Sequence, residues 1–569
     1  MKPVSKNIKR LNLIQLVIGL AVIILINVIA KYAFFRLDLT QEKRYTLSPL
    51  TKKMLKELDD VVYYKVYLEG DFPAGFKRLR DETKEMLDEF RAYAGDNIQY
   101  EFIDPSSNPD KKQRNELYKT LYQKGLQPTN LNFKEDGDAN AQKIIFPGAI
   151  ITYKARETTA QLLKSQGFAH PEAMINNSIK DLEYNLSNAI RKVKNGLKPK
   201  IAFIEGHGEL EEMAVADITK SLSEYYEVSR IKINGKLNTL RGYKAIIIAQ
   251  PDSIFDEKDK FVIDQFITHG GKSLWLVEST FATMDSLTKS GETVGVSNPI
   301  NLEDQLFRYG VRINTHFVQD IQGAPIPIVT GMMGNQPQTQ MFPWFYFPLI
   351  FQYEKNAHPI VSNLNAIKLE FANTIDTVGP PSIKKTVLLR SSKFSRTINT
   401  PTRISLSAVK EEPQEKQFGK SFLPIGVLLE GKFESVYNNR IPLEIQNSKE
   451  ISFKANCDTI NKMIIVADGD IIRNGYSKSK GAISPLGFDR YTGQEYGNKD
   501  FILNAINYLC DDEGLLSVRS RELKLRLLDR KKLSKEENKW KAINTLLPLL
   551  LVGLFAFAQF YNRKKKYSG

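Results

Sequence analysis

The chain holds 569 residues, too many for one hydrophobic core and enough for two to four domains. Its apolar fraction of 42% and charged fraction of 25% are those of a globular protein. A net charge of +15 suggests nucleic acid at first sight, but eight of the basic residues stand in two acid-free tails, and no concentrated basic, aromatic-interleaved stretch lies between them. Nucleic-acid binding is excluded on that ground.

Two uncharged segments close off the tails: residues 11–30, "LNLIQLVIGLAVIILINVIA", and 542–561, "AINTLLPLLLVGLFAFAQFY". At about 1.5 Å per residue each reaches roughly 30 Å, the thickness of the hydrocarbon layer. A cleaved signal peptide ending at "VIA" is the alternative for the first, but its apolar core is too long and Lys31 follows directly, which favours an uncleaved anchor over 11–31. The second is followed by "NRKKK", a membrane stop. Basic residues flank both sides of both segments, so counting them does not orient the chain. Acid-free basic tails resist translocation whereas long domains cross largely regardless of charge. The expectation is therefore a two-pass protein of the inner membrane, with tails 1–10 and 562–569 in the cytoplasm and everything between the spans in the periplasm. Cys457 and Cys510 fit a periplasmic domain without a disulfide framework, one bridge between them being an open alternative.

The fold class expected between the anchors is α/β, in two domains. In the first, over 38–195, Ser48 and Pro49 read as N-cap and first residue of a helix, followed by the strand "VVYYKVYL". A helix with Phe76, Leu79, Thr83, Met86, Leu87, Phe90 and Tyr93 on one face comes next, then strand "IQYEFIDP" and helix "NELYKTLYQKG". After a connection "LQPTN" come strand candidates "KIIFPGA" and "IITYKA", and one closing helix, "INNSIKDLEYNLSNAIRKV". That order is thioredoxin-like. The stretch ahead of the first long helix, "EGDFPAGF", has no cysteine, so thiol chemistry is excluded.

In the second domain, over 199–515, strands apolar on both faces ("KIAFIE", "KAIIIAQP", "KSLWLVES") alternate with helices, the pattern of a doubly wound parallel sheet of the amidotransferase-like kind. "KTVLLRS", "IGVLLEG" and "KMIIVADGD" are expected to extend it, "GAPIPIVTGMMGNQPQTQ" to be a long loop, and "MFPWFYFPLIF" to be an aromatic cluster. A juxtamembrane part, 516–541, holds a strand candidate "LKLRLL" and a helix capped by Ser534 with Glu537.

The stretch "KIAFIEGHGELEEM" resembles a catalytic or nucleotide site. A dinucleotide fingerprint needs glycine where Glu211 stands, and "GGKS" at 270–273 lacks the first glycine of a phosphate loop, Phe266 occupying its place. His207 and Glu209 form half of a zinc-deaminase motif with no P-C-x-x-C to complete it, and no two of the five histidines are paired at ligand spacing. No cysteine elbow or G-x-S-x-G is present. No catalytic residue, cofactor or metal is therefore expected, a carboxylate-rich cation site at Glu205, Glu209 and Asp252 being the weaker alternative. The turn is read as structural, with Glu205, His207, Glu209, Gln250, Asp252 and Glu278 gathered in the cleft at the carboxyl ends of the strands, where such sheets bind ligands. Trp344, Phe345, Tyr346 and Phe347 are candidates for a partner contact, with core packing as the alternative.

"IEGHGE", "AQPDSIFDEKDKFVIDQFITHGGKSLWLVE", "ADGDIIRN", "YGNKDFILNAINYL", "RSRELKLRLLD" and "RLDLTQEKRYTLSP" together resemble the auxiliary proteins of gliding-motility ABC transporters in Bacteroidetes, over essentially the whole chain. The resemblance implies an inner-membrane subunit that works with a separate permease subunit and a separate cytoplasmic ATPase subunit, and it brings no catalytic residues. A ligand-binding module and a cryptic hydrolase or amidotransferase relative stand as the alternatives.

Overall fold

The computed structural model describes residues 5–32, 46–134, 140–163, 171–194, 198–333, 336–352, 357–362, 364–410, 413–448, 451–477, 481–511, 514 and 530–567. The chain divides into two units, Met1–Glu522 and Leu523–Gly569.

The first unit begins with helix α1 (Ser5–Tyr32), whose side chains from Leu13 to Leu25 are exposed and form a short apolar stretch. Helix α2 (Pro49–Lys56) starts as its sequence dictates: the Ser48 hydroxyl accepts from the Thr51 N–H at 3.1 Å and proline holds the first helical position. Strand β1 (Val62–Val66), helix α3 (Ala74–Ala94), strand β2 (Ile98–Phe102) and helix α4 (Lys111–Gln123) follow in the expected order. Leu79, Thr83, Leu87 and Phe90 bury one face of α3 against Val62, Tyr64 and Val66.

The next segment departs from expectation. The connection "LQPTN" already leads into strand β3 (Thr129–Lys134), which pairs with β4 (Asn140–Ile145). "KIIFPGA" breaks at Pro147, which has no N–H for a ladder, so β5 (Gly148–Tyr153) is a separate strand, and it pairs with β6 (Arg156–Gln161). The polar run "RETTAQ" had no apolar pattern to reveal it as a strand. The closing helix is two, α5 (Pro171–Lys180) and α6 (Leu182–Lys194). The resulting sheet has order β2-β1-β5-β6, with β1 parallel to β2 and antiparallel to β5.

Strand β7 (Lys200–Glu205) opens the larger sheet, followed by helix α7 (Ala216–Ser223), β8 (Glu227–Lys232), β9 (Ala245–Ala249), helix α8 (Glu257–Thr268) and β10 (Lys272–Leu276). Alternate residues of β9 serve opposite faces: Ala245, Ile247 and Ala249 join the cluster that holds Ile218 and Leu222 of α7, while Ile246 and Ile248 join that of Val262, Ile263 and Ile267 of α8. Full burial of each isoleucine stabilises by roughly 1.5–3 kcal/mol, and helices on both sides make that burial complete.

The expected loop at 323–340 is instead the first part of a hairpin, β11 (Gly323–Met333) with β12 (Gln336–Ile350). Its prolines read as loop punctuation, yet Ala324, Ile326 and Ile328 are buried in alternation, the strand period that they obscured. Strands β13 (Lys384–Arg390), β14 (Pro424–Gly431) and β15 (Asn461–Val466) do extend the sheet, giving order β13-β14-β15-β10-β9-β7-β8. Five strands are parallel, but β14 runs antiparallel to both neighbours, so the sheet is mixed. Parallel neighbours are joined by a crossover connection of about a dozen residues or more, usually a helix. Among the described residues of the connections 391–423 and 432–460 no α-helix is longer than the four residues of Leu443–Gln446, the first connection carrying two short strands, Ser395–Asn399 and Thr402–Ser405, besides 3₁₀ turns. Helix α9 (Asn498–Cys510) completes the cover on the α7 side. Cys457 and Cys510 are both buried and unbridged.

The second unit contains helix α10 (Arg530–Tyr567), with Pro548 inside it. The helix starts ahead of the expected cap, because Arg530, Lys531, Lys532 and Leu533 are themselves good helix formers. The strand candidate "LKLRLL" lies outside the described residues.

Candidate functional site at the carboxyl ends of the parallel strands

Strand β7 ends at Glu205 and turns through Gly206 (φ 125°), His207 and Gly208 (φ 72°). The second glycine is required by its φ, and a Cβ there would lie 1.5 Å from Oδ1 of the exposed Asp252, whose carboxylate would have to swing away. The amides of Asp252 and Ser253 both donate to the His207 carbonyl at 3.0 Å, so the β7 turn and the loop after β9 hold each other.

His207 is only 5% exposed and lies flat on Phe255. Its Nδ1 faces Glu209 Oε1 at 3.2 Å and its Nε2 faces Asp259 Oδ2 at 3.0 Å. Burial alone would depress its pKa, but the hydrogen bond and charge of Glu209, followed by those of Asp259, outweigh it and the pKa is raised. An imidazole between two carboxylates satisfies both only as the imidazolium. Asp259 is placed by the Asp256 cap of α8, whose carboxylate accepts the Asp259 N–H at 2.7 Å.

A second group gathers across β9, β10 and β15. Gln250 sits at φ 53°, a conformation uncommon for a side-chain-bearing residue, and donates to Glu278 Oε1 at 3.4 Å. The same oxygen accepts the Gly469 N–H at 2.8 Å. Asp468, fully buried, accepts the amides of Glu370 at 2.7 Å and Ile471 at 2.9 Å. Asp470 pairs with Arg473 at 2.8 Å. Burial pushes the Glu278 carboxyl up to about 8, with the Asp470 charge adding to it. Burial and then the Glu370 charge push Asp470 up to about 6. Asp468 is raised well above the ordinary range by burial and by Glu278. Neighbouring buried carboxyls cannot all ionise, so the group holds protons at neutral pH.

Five of the six expected cleft residues therefore fall into three sets. Gln250 meets Glu278, His207 meets Glu209, and Asp252 closes on Gly208. Glu205 leaves the group and pairs with Arg230 of β8 at 2.5 Å, while Arg230 also donates to the Leu210 carbonyl at 2.6 Å. Among the described residues no group of three or more His, Cys, Asp or Glu side chains has metal-holding geometry. The sequence reading missed Arg230, Phe255, Asp259, Asp468 and Asp470. "ADGD" at the end of an apolar strand was the available signal for the last two.

"GGKS" is a helix exit: Gly270 has φ 95°, and a Cβ on Gly271 would lie 2.3 Å from the Phe266 ring. Trp344, Phe345, Tyr346 and Phe347 are all buried, at 0%, 8%, 5% and 2% exposure. Trp344 packs on Tyr346 at 5.2 Å, Phe345 on Phe418 at 5.5 Å and Phe347 on Phe371 at 5.6 Å.

Residues 41–152 match a domain of unknown function. Over 556 residues the chain is 22% identical to an uncharacterized protein of Borreliella burgdorferi, covering 96% of this chain and 95% of that protein. A solved structure, the mmIFT52 N-terminal domain, aligns 98% of its length with 55% of this chain at 13% identity and a TM-score of 0.30, too low for a shared fold. Residues 198–505, which carry the seven-stranded sheet and every site residue above, match the family model of an ABC-type uncharacterized transport system. That match spans more than half of the chain, and the protein belongs to this family of ABC-type transport systems.

Proposed function

We propose that the protein is a non-enzymatic auxiliary subunit of an ABC-type transporter that serves gliding motility, anchored in the inner membrane at both ends with its folded domains in the periplasm. Its partners in this reading are a permease subunit and a cytoplasmic ATPase subunit. The family match over residues 198–505 carries the reading. The segment Lys539–Lys565 of α10, long and apolar enough to cross a membrane, supports the anchoring. Both nitrogens of His207 are engaged by carboxylates, which leaves neither to take a proton from a nucleophile and supports the non-enzymatic role. The order β2-β1-β5-β6 supports a thioredoxin-like first domain, and the parallel strands with helices on both faces support an amidotransferase-like second one.

The test is copurification of the tagged full chain from native membranes in a mild detergent. Recovery of a permease and an ATPase is expected; recovery of the chain alone overturns the reading. Cysteines placed at Ser5 and Ser568 and treated with an impermeant reagent check the topology, and labelling of either in intact cells overturns it.

A ligand-binding role at the carboxyl ends is the second reading, favoured by Gln250 at φ 53° beside the protonated carboxyls. Strained backbone of this kind concentrates at ligand sites. Crystals soaked in a periplasmic extract, with density in contact with Gln250 and Glu278, would support it; an unchanged side-chain arrangement without density would not.

A further inference from the structure

The turn that follows β15 packs on the carboxyl ends of β9 and β10. Asp468, Gly469 and Asp470 succeed one another in it, and the Gly469 N–H donates to Glu278 Oε1 at 2.8 Å. A third carboxyl is thus held between two aspartates. The approach is close: a Cβ on Gly469 would lie 2.6 Å from Gln250 Cβ, so the turn is seated directly on Gln250. Glu278 is left 6% exposed and Asp468 not at all. A fourth carboxyl adjoins them, because the Glu370 N–H donates to Asp468 Oδ2 at 2.7 Å and its charge acts on Asp470.

The cations around the turn are taken by other acids. Arg473 pairs with Asp470 at 2.8 Å, and Lys368 pairs with Glu370 at 2.9 Å and stands 3.5 Å from Asp489. Helix α9, which packs beside Ile471, brings Lys499, held by Asp217 at 3.0 Å, with Glu495 and Asp500 beside it. On its other side Glu278 borders a cavity of about 30 Å³, room for one water. Its lining includes Glu303, which is exposed, and Arg312, which pairs with Asp376 at 2.6 Å. His316, beyond Ser279, turns its Nε2 to Thr374 at 2.7 Å. Among the described residues no ion pair reaches Glu278 or Asp468.

The turn is fixed on both sides. Ahead of it, Ala467 donates to the Ile425 carbonyl at 2.9 Å and accepts from the Asn373 N–H at 2.8 Å. Behind it, Ile471 and Ile472 are fully buried, and Asn474 donates to the carbonyls of Met213 and Ala214 at 2.9 and 2.7 Å. Movement is therefore confined to residues 468–470, which rest on Glu278. Amide donors by themselves favour an ionised carboxyl, but burial and the Asp470 charge outweigh them and Glu278 keeps its proton up to about 8.

We infer that the turn 468–470 is a pH-dependent latch over Gln250 and Glu278, shut while Glu278 holds its proton and lifted when that carboxyl ionises. Lifting gives the carboxylate water and moves the two aspartates away from it. The stability of the shut turn is complete below the ordinary carboxyl value of 4.5 and is lost as pH climbs from there to about 8. The movement needs no ligand. That it governs access of a ligand to Gln250 and Glu278 rests on the second reading of the function.

The experiment is hydrogen exchange of the full chain in neutral-lipid nanodiscs, read by mass spectrometry and corrected for the intrinsic rate at each pH. Protection of the Gly469 and Asp470 amides falls by at least about tenfold between about pH 6 and about pH 9, while that of β9 is unchanged. Glu278→Gln, neutral at every pH, removes the fall. Asp470→Asn keeps it but moves it to lower pH, because one of the charges that hold the proton on Glu278 is gone. Constant wild-type protection, an equal fall in Glu278→Gln, or an equal fall in β9 each overturns the latch. Where Glu278→Gln does not fold, as judged by circular dichroism, the Asp470→Asn variant decides, and a fall at the wild-type pH overturns the proposal. No ligand or transporter partner enters the assay, so its failure is distinct from a failed soak or a failed copurification.

Discussion

The imidazole of His207 and the ring of Phe255 are stacked, with centroids 3.7 Å apart and planes inclined by 11°. This contact fixes the β7 turn to the start of α8 together with the Asp259 pair at 3.0 Å. Its raised pKa gives a sign: stability from the imidazolium is complete below the unfolded value near 6.5 and is lost as pH rises through the higher folded value. Melting curves of the wild type should therefore fall between pH 6.5 and the alkaline side, and His207→Gln should flatten that part of the profile. His207→Ala should cost roughly 2–3 kcal/mol, from the lost stacking and two carboxylates left without a partner. A pH profile identical in His207→Gln and wild type would show that another group governs it.

A side chain at Gly208 has to displace the exposed Asp252 carboxylate, whose Oδ1 stands 1.5 Å from the place of a Cβ, and to adopt a φ of 72°. Gly208→Ala should destabilise by at least about 2 kcal/mol. Adding Asp252→Ala removes the clash but not the left-handed φ, so the double variant should keep a penalty of about 1–2 kcal/mol. A denaturant-unfolding cycle measures both, and simple additivity of the two changes would contradict the contact.

Glu278 binds its proton up to about pH 8 in the folded protein and only to about 4.5 when unfolded. The stability that this provides is complete below the unfolded value and drains away as pH climbs from 4.5 through 8. Glu278→Gln, neutral at every pH, should therefore raise the melting temperature at pH 9 and leave it nearly unchanged at pH 5. A variant less stable than wild type at pH 9 would mean that the ionised carboxylate is needed, as a bound cation would require.

Trp344 is fully buried, whereas Val329 on the same hairpin is 54% exposed. Trp344→Ser should cost about 3–5 kcal/mol, and Val329→Ser should stay within about 0.5 kcal/mol. Chemical denaturation with copurification of partners separates core from contact. Lost partner binding in a Trp344→Ser variant of unchanged stability would restore the docking role of these rings.

Sequence alone determined what local chemistry controls. Ser48 and Pro49 had to start a helix, because the hydroxyl and the missing N–H act within one turn. "AIIIA" had to be a strand covered on both faces, since five consecutive apolar residues leave no side for water. The cysteine-free stretch before α3, the failed glycine fingerprints and the uncharged segments 11–30 and 542–561 are likewise matters of composition and spacing. The tertiary structure decided what depends on residues distant in the chain. Direction of β14 follows from how its connections return, and the hairpin at 323–350 follows from burial of Ala324, Ile326 and Ile328 by a core formed elsewhere. Asp259 became the partner of His207 only when α8 packed beside the β7 turn, and Arg230 drew Glu205 away from the cleft only when β8 paired with β7. The protons on Glu278 and Asp468 have the same origin: a carboxyl group is an ordinary acid in the sequence, and it is removal from water beside another carboxyl that changes it.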